Sequence, residues 1–322
     1  MSVGAFAALK SLPAMAQRAA VALPRVGVLF PSNPASSAHL IEAFRQGLRE
    51  RGFVDGVNVA IELRYGETNR ERLSAAAAEL VRAKVDVIVA PTDLAVQATR
   101  QHTTSIPVVM VSSSDPVGTG FVATLARPGG NITGLSLISP ELIGKRLELI
   151  KEAVPGLSRA AFLWNPDMAG SAIEYKELES AGRRLHVQIQ SMMAYRAEDI
   201  DTALAAIKRA HVDAIVASAS NPIVFANRAK VGGFLLQNRL PSIFGLGEYV
   251  DAGALMCYGP DNRDLFYRSA KYVARILKGD KPSDLPVEQP TKFEMVINMK
   301  TAKALGIKFP NSILVRANRV IE

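Results

Sequence analysis

The stretch VDVIVAPTDLAVQ, residues 85–97, is an apolar run that changes directly into a Thr-Asp pair and then into a helical pattern. The chain does nearly the same at residues 212–225, VDAIVASASNPIVF. A short apolar run bounded by polar residues is typical of a strand buried on both faces, as in a parallel sheet. Two explanations fit the polar clusters: they are ordinary helix N-caps, or they are two half-sites that face each other across a cleft.

Strand and helix patterns alternate in both halves of the chain. RVGVLF at residues 25–30 begins the first series, and RAAFLW at residues 159–164 begins a second series of the same kind. Regular alternation of this kind predicts right-handed βαβ units and parallel sheets. We therefore expect an α/β protein with two doubly wound parallel-sheet lobes joined by a three-segment hinge.

The lobe boundaries follow from three long connections that are expected to pass between the lobes. These connections lie near residues 128–138, 254–260 and 282–292. The resulting division assigns 24–130 and 258–285 to lobe 1, and 136–255 and 292–322 to lobe 2. Residues 1–23 are Ala-rich and contain AMA before Gln17, which resembles a small-x-small cleavage site, so we expect a leader or a signal remnant.

Composition excludes several classes of protein. The 322 residues are 48% hydrophobic and 21% charged, which is typical of a globular chain long enough for two domains. The net charge is +8, but the basic residues are dispersed rather than concentrated on one arm or face, so we expect no nucleic-acid partner. Beyond the leader, no run of 18 uncharged apolar residues predicts a membrane span.

The sequence lacks the common motifs of cofactor binding and catalysis. It has neither GxxxxGK[ST] nor a strand-associated GxGxxG, and GxSxG is also missing. The four histidines occur singly, without the spacing of metal ligands. We expect no cofactor, no metal and no enzymatic activity.

Small polar clusters recur where the predicted strands end. In an open parallel sheet, ligands bind outside the carboxyl ends of the strands. The candidate binding residues are Ser32, Asn33, Thr92, Asp93, Ser114 and Asp115 in lobe 1, facing Asn165, Ser171, Ser218, Asn221, Glu248 and Tyr249 in lobe 2.

Two roles are expected within this set. Asp93 and Asp115 are candidates to hold a cationic group, and Ser114 and Ser171 to donate to a carboxylate beside helix N-termini. For any single residue the alternative is a helix cap or a turn.

Three stretches support a resemblance to a known family. They are GFVDGVNVAIELRYGETNRERLSAAAAELV at 52–81, SSDPVGTGFVATLARPGGNITG at 113–134 and VINMKTAKALGIKFPNSILVRANRVIE at 296–322. Over residues 24–322 the chain resembles the type I periplasmic solute-binding proteins of ABC transporters. Within them it is most similar to the subfamily that includes tryptophan- and tyrosine-uptake binding proteins.

The resemblance implies a receptor that closes two lobes around a small polar ligand and delivers it to an ABC permease in the membrane. It further implies a periplasmic or exported location, and an aromatic or other amino acid as the ligand. A monomer is expected. Phe30, Trp164, Phe244 and Tyr249 lie near strand ends and could stack on a ring or simply pack in the core.

Two other functions remain open on the same scaffold. An enzyme would need a nucleophile–base pair or a cofactor loop, and neither is evident. A ligand-sensing regulator would need a helix-turn-helix before Arg25, which the Ala-rich leader does not provide.

The dispersed charge predicts only weak binding to duplex DNA. Non-specific binding of this kind depends on counterion release, so it should be lost at moderate salt. A titration of labelled duplex at increasing ionic strength measures this. A sequence-specific footprint that survives at about 200 mM salt would contradict the receptor interpretation.

Overall fold

The computed structural model of the protein describes residues 23–218 and 221–322, which form two α/β lobes. All but the last residue of the expected leader, 1–23, lies outside the described residues.

The first lobe begins with an alternating series of strands and helices. Its elements are β1 (Arg25–Phe30), α1 (Pro34–Arg49), β2 (Ala60–Tyr65), α2 (Arg70–Arg82), β3 (Val87–Thr92), α3 (Asp93–Arg100), β4 (Val108–Ser113) and β5 (Ile132–Ser136). The second lobe continues with α4 (Ser139–Ala153), β6 (Arg159–Trp164), α5 (Ala169–Leu185), β7 (Gln188–Met193), α6 (Asp199–Arg209), β8 (Ala214–Ala217), α7 (Pro222–Ala226), α8 (Arg228–Gln237), β9 (Ser242–Phe244), α9 (Glu248–Asp251) and β10 (Met256–Pro260). The chain then adds α10 (Asn262–Leu277) and a short 3₁₀ helix (Pro282–Asp284) to the first lobe, and β11 (Phe293–Asn298), α11 (Met299–Leu305), α12 (Asn311–Leu314) and β12 (Arg319–Ile321) to the second.

Each lobe is built on one sheet. The five-stranded sheet has the order β2-β1-β3-β4-β5, and the seven-stranded sheet has the order β12-β11-β10-β9-β8-β6-β7. Among the described strands, β10 and β11 form the one antiparallel pair, and the other pairs are parallel. The prediction of two doubly wound parallel-sheet lobes is confirmed.

The apolar run at 85–97 supplies a strand buried on both faces. Val87 and Val89 pack towards α1 and α10, whereas Ile88 and Ala90 pack towards α2 and α3. Successive side chains of a strand point to opposite faces, so a sheet covered by helices on both sides requires apolar residues at every position. None of the helices in the described part of the chain is both long and apolar enough to cross a membrane.

The chain passes between the lobes three times. It crosses between β5 and α4, between β10 and α10, and between Glu288 and β11. Glu288 still belongs to the first lobe because it forms a β-bridge with Leu135. The crossings are neighbours in pairs, because Glu288 pairs with Leu135 of β5 and Pro260 at the end of β10 pairs with Phe293 at the start of β11.

Two of the expected lobe boundaries are wrong. β5 belongs to the first sheet although it begins after residue 130, and residues 258–260 belong to β10 of the second sheet rather than to lobe 1. The sequence around β5 is rich in Gly and Pro, and β10 ends in Gly-Pro, which locally predicts a turn. Both strands are held by partners distant in the sequence, which a local pattern does not reveal.

The returning helix α10 packs closely on α1. Gly47 of α1 makes this approach possible, because a Cβ there would overlap the carbonyl oxygen of Tyr267 and lie 2.8 Å from the Cβ of Ala270. The lobe therefore depends on a backbone contact between residues more than 200 positions apart in the chain.

Replacing Gly47 with alanine should destabilise the protein by about 1–3 kcal/mol, since overpacking here forces two helix backbones apart. Gly233→Ala in α8 is the matched control, because a Cβ there meets nothing within 4 Å and alanine favours a helix by roughly 0.5–1 kcal/mol. Urea unfolding measures both variants. Equal stability of Gly47→Ala and the wild type would contradict the close contact.

Candidate functional site

The carboxyl ends of the strands in the two sheets face each other, and a cavity lies between them. Both lobes contribute to its walls. The lining residues are Phe30, Pro31, Ser32, Leu40, Pro91, Thr92, Ser112, Asn262 and Phe266 from the first lobe, and Pro222, Phe225 and Leu246 from the second.

Aromatic rings form much of this cavity. Phe30 stacks on Phe266 with ring centroids 5.7 Å apart and an interplanar angle of 4°. From the other lobe, Phe225 meets the ring of Tyr249 edge-on, at 5.9 Å and 83°. The flat, apolar walls suit a planar apolar group, because aromatic rings associate favourably in stacked or edge-on arrangements.

A buried polar cluster adjoins the cavity in the second lobe. Its members are Arg146 of α4, Ser171 and Glu174 of α5, Asn221 at the N-cap of α7, and Tyr249 of α9, each at most 2% exposed. Asn221 directly precedes Pro222, and Tyr249 contacts Phe225, so the cluster and the cavity share a boundary.

Several polar atoms of this cluster form no hydrogen bond within the described residues. Across residues 23–218 and 221–322, no hydrogen-bond partner exists for Arg146 Nη1 and Nη2, Ser171 Oγ, Asn221 Nδ2 or Tyr249 OH. The Glu174 carboxylate has only the hydroxyls of Ser139 and Ser218 as nearby donors, at the limit of hydrogen-bond geometry. Buried polar groups are normally paired, and each unpaired one is costly. A concentration of them at one place is therefore typical of a binding site rather than of a core.

Burial changes the ionisation of the charged groups. Burial raises the pKa of the Glu174 carboxyl, opposed by the positive charge of Arg146 and by the hydroxyls of Ser139 and Ser218, and the negative charge of Asp93 in the other lobe raises it slightly further. Burial likewise raises the pKa of Asp93, opposed by hydrogen bonds from Ser113 and Ser114. Two buried carboxyls thus approach each other from opposite lobes.

The lobes are in contact around the cleft. A Cβ on Gly170, the second residue of α5, would lie 2.5 Å from Asp93 Oδ2 and 2.6 Å from the Cβ of Ser114. On one side of the cleft, His39 Nε2 lies 3.2 Å from Glu248 Oε1. On the other side, Arg70 Nη1 donates to Asp167 Oδ2 at 2.8 Å. The cleft is therefore closed.

The predicted site residues fall into two groups. Some act mainly as caps and turns: Asn33 caps α1, Thr92 caps α3, Asp115 accepts from the N–H of Gly118, and Asn165 accepts from the N–H of Asp167. Others are buried between the lobes or beside the cleft: Ser32, Asp93, Ser114, Ser171, Ser218, Asn221 and Tyr249. Glu248 lies between the lobes and accepts hydrogen bonds from His39 and from Asn262 Nδ2.

Sequence reasoning missed Arg146 and Glu174, although each leaves a signal. Arg146 interrupts the apolar stripe of Ile143, Leu147 and Ile150 on α4, and Glu174 lies on the buried stripe of α5. A charge on the buried stripe of a helix is unusual. Of the aromatic residues near strand ends, Phe30 lines the cavity, whereas the indole N–H of Trp164 donates to Ser191 Oγ at 2.8 Å.

A family model described as ABC transporter substrate binding protein matches residues 25–321. The chain belongs to this family. It is thus a solute receptor of an ABC transporter. The family model describes a substrate-binding protein, and the curated relative is named a binding protein.

Relatives of this substrate-binding protein include proteins that bind aromatic amino acids. A curated tyrosine-binding protein of Clostridioides difficile (strain R20291) is 27% identical over 267 residues, which cover 83% of this chain and 76% of the relative. A solved domain from Streptococcus pneumoniae, in complex with L-Trp, is 27% identical with a TM-score of 0.86, covering 93% of this chain and all of that one. A conserved domain protein from Vibrio cholerae gives the same TM-score, identity and coverage.

Glu248 and Glu294 should respond to pH in opposite directions. Burial acts to raise the pKa of Glu248, but hydrogen bonds from His39 and Asn262 outweigh it and hold the pKa below 4.5. This stabilisation is present above pH 4.5 and is lost as pH falls through the lowered pKa. For Glu294, burial raises the pKa to about 7, so its contribution is present below pH 4.5 and is lost as pH rises towards 7.

Urea unfolding at a series of pH values tests this with glutamine variants. Glu248→Gln should lose less free energy of unfolding than the wild type as pH falls below about 4.5. Glu294→Gln should lose less between about pH 4.5 and pH 7. A Glu248→Gln variant with the acid slope of the wild type would show that the hydrogen bonds to His39 and Asn262 do not form in solution.

Proposed function

We propose that this substrate-binding protein captures an aromatic amino acid between its lobes and delivers it to an ABC permease. The observation that carries the proposal is the cavity between the lobes, with aromatic walls from both lobes and a buried polar cluster at its side. An amphipathic ligand with one planar apolar end and one charged end matches such a site. The names of the tyrosine- and tryptophan-binding relatives agree with this chemistry.

The apolar end of the ligand is assigned to the cavity between Phe30, Phe225 and Phe266. In the closed arrangement the cavity measures about 50 Å³, which corresponds to a few water molecules. We therefore expect the ring to enter while the lobes are apart and to hold Phe225 slightly further from Phe266 after closure. Burial of such a ring contributes roughly 1.5–3 kcal/mol.

The polar end is assigned to the buried groups next to the cavity. Of the residues predicted from sequence, Asp93, Ser114, Ser171, Ser218 and Asn221 lie there, and Ser32 and Thr92 lie at the cavity wall. Asn33 caps α1, and Asp115 and Asn165 stabilise turns, so their contribution to binding is indirect.

The lobes stay closed only if some interaction stabilises the closed state more than the open state. The Arg70–Asp167 pair is about half exposed, at 48% and 47% for the two side chains, and such a pair contributes only about 0–1 kcal/mol. A ligand that contacts both lobes adds stabilisation in the closed state alone, so ligand binding is expected to drive the hinge.

The remaining parts of the proposal follow from the family. We infer that the protein acts as a monomer outside the cytoplasmic membrane, presents its closed form to the permease and catalyses no reaction. A cofactor, a metal or a nucleic acid has no part in this function.

A thermal-unfolding screen of the twenty L-amino acids tests the ligand class. A ligand at 100 times its Kd stabilises the folded state by about 2.7 kcal/mol, which raises Tm by several degrees in a chain of this size. Tryptophan, tyrosine or phenylalanine should give the largest shift. A shift produced only by sugars or by small polar amino acids would refute the aromatic assignment.

Calorimetry then tests the cavity wall. Phe225→Ala should weaken binding of the aromatic ligand about 10- to 100-fold, as expected for 1.5–3 kcal/mol of lost burial. Phe234→Ala is the matched control, because Phe234 packs on the same core cluster of the second lobe without lining the cavity. Equal affinities of the two variants would place the ring elsewhere.

A further inference from the structure

Arg146 is a fully buried arginine on α4, placed at the carboxyl edge of the second sheet. Its Nε donates to the carbonyl oxygen of Tyr258 at 2.8 Å, which anchors the side chain to β10. The guanidinium also lies beside Gly259, where a Cβ would overlap the carbonyl oxygen of Gly245 and lie 3.3 Å from Nη2. Both terminal nitrogens, with four N–H donors, find no acceptor in the described chain.

Glu174 supplies the opposite charge from the neighbouring helix. It is fully buried, and the two charges influence each other, since Arg146 lowers the pKa of Glu174. Yet the two side chains form no hydrogen bond with each other. A structural ion pair in a protein interior normally forms direct, often bidentate, hydrogen bonds, because separated buried charges are costly.

Neutral donors are buried in the same lobe as the pair. Ser171 Oγ, Asn221 Nδ2 and Tyr249 OH are buried in the same lobe, and within the described residues they too lack hydrogen-bond partners. Tyr249 and Glu174 are close enough for the carboxylate to raise the pKa of the phenol, which burial already raises. The cluster therefore offers positive, negative and neutral polar groups in one small region.

We propose that Arg146 and Glu174 bind the α-carboxylate and the α-ammonium of the ligand, so that the protein recognises the zwitterionic backbone of an amino acid through this separated charge pair. The inference rests on the proposed function and adds the groups that select the ligand class. A zwitterion brings one charge of each sign, so both buried charges become paired. An amine or a carboxylic acid alone would leave one of them unpaired, which is unfavourable.

Ligand analogues test this on the unmodified protein. Calorimetry should compare L-tryptophan with tryptamine, which lacks the carboxylate, and with indole-3-propionate, which lacks the ammonium. Each analogue should bind at least tenfold more weakly, as expected for loss of a charged hydrogen bond. Similar affinity for all three compounds would overturn the inference while leaving the aromatic receptor intact.

Variants of the two residues then assign the roles. Arg146→Met should reduce the difference in affinity between L-tryptophan and tryptamine, and Glu174→Gln the difference between L-tryptophan and indole-3-propionate. A purely structural role would weaken all three ligands equally, and that result would overturn the assignment. The matched controls are Lys145→Met and Glu177→Gln, exposed residues on the same two helices, which should keep the wild-type differences.

The ligand screen separates this inference from the proposed function. If a non-aromatic amino acid proves to be the ligand, the aromatic assignment fails, and the same comparison is made with the decarboxylated and deaminated forms of that amino acid. If the wild type binds no α-amino acid, both proposals fail.

Discussion

The first turn of α5 lies directly against Asp93 and Ser114, and this contact sets how closely the two lobes approach. Gly170 makes it possible, because a Cβ at this position would lie within 2.6 Å of atoms in both residues. The Asp93 carboxylate accepts the N–H of Ser114 at 3.2 Å and lies at the positive end of the helix. A buried carboxylate thus finds a favourable partner across the cleft only when the lobes are closed.

The apolar cavity and the polar cluster both depend on this approach. Phe30 and Phe225 come from different lobes, so their rings enclose a common space only in the closed arrangement. Tyr249 links the two regions, since its ring contacts Phe225 and Phe244 whereas its hydroxyl belongs to the polar cluster. Closure of the lobes therefore brings the apolar cavity and the polar cluster together in one site.

The buried polar groups of the site destabilise the folded protein. Arg146, Glu174 and Asp93 are fully buried, and a buried charge without a close partner destabilises a protein. The surrounding apolar clusters of the second lobe offset this cost, with the sheet covered by helices on both faces. Proteins commonly retain such unfavourable groups where function requires them.

The polar residues that follow the strands are of two kinds: some are helix caps, and others are buried between the lobes. Asn33 and Thr92 are helix caps, as local propensity predicts, while Asp93, Ser114 and Ser171 are buried where the lobes meet. Asn221 does both, because its Oδ1 caps α7 and its Nδ2 lies in the polar cluster. A cap and a half-site occupy the same place in a βα unit, so residue type alone does not separate them.

The sequence by itself determined the doubly wound class and the alternating strands and helices that begin each lobe, because periodicity and turn residues act over a few positions. It also determined that polar residues follow the strands. Only the tertiary structure decided that β5 belongs to the first sheet and β10 to the second, and that Arg146 and Glu174 are buried in the same cluster as Tyr249. Those outcomes depend on contacts between residues far apart in the chain, and each residue's local pattern is equally compatible with a turn or a surface charge.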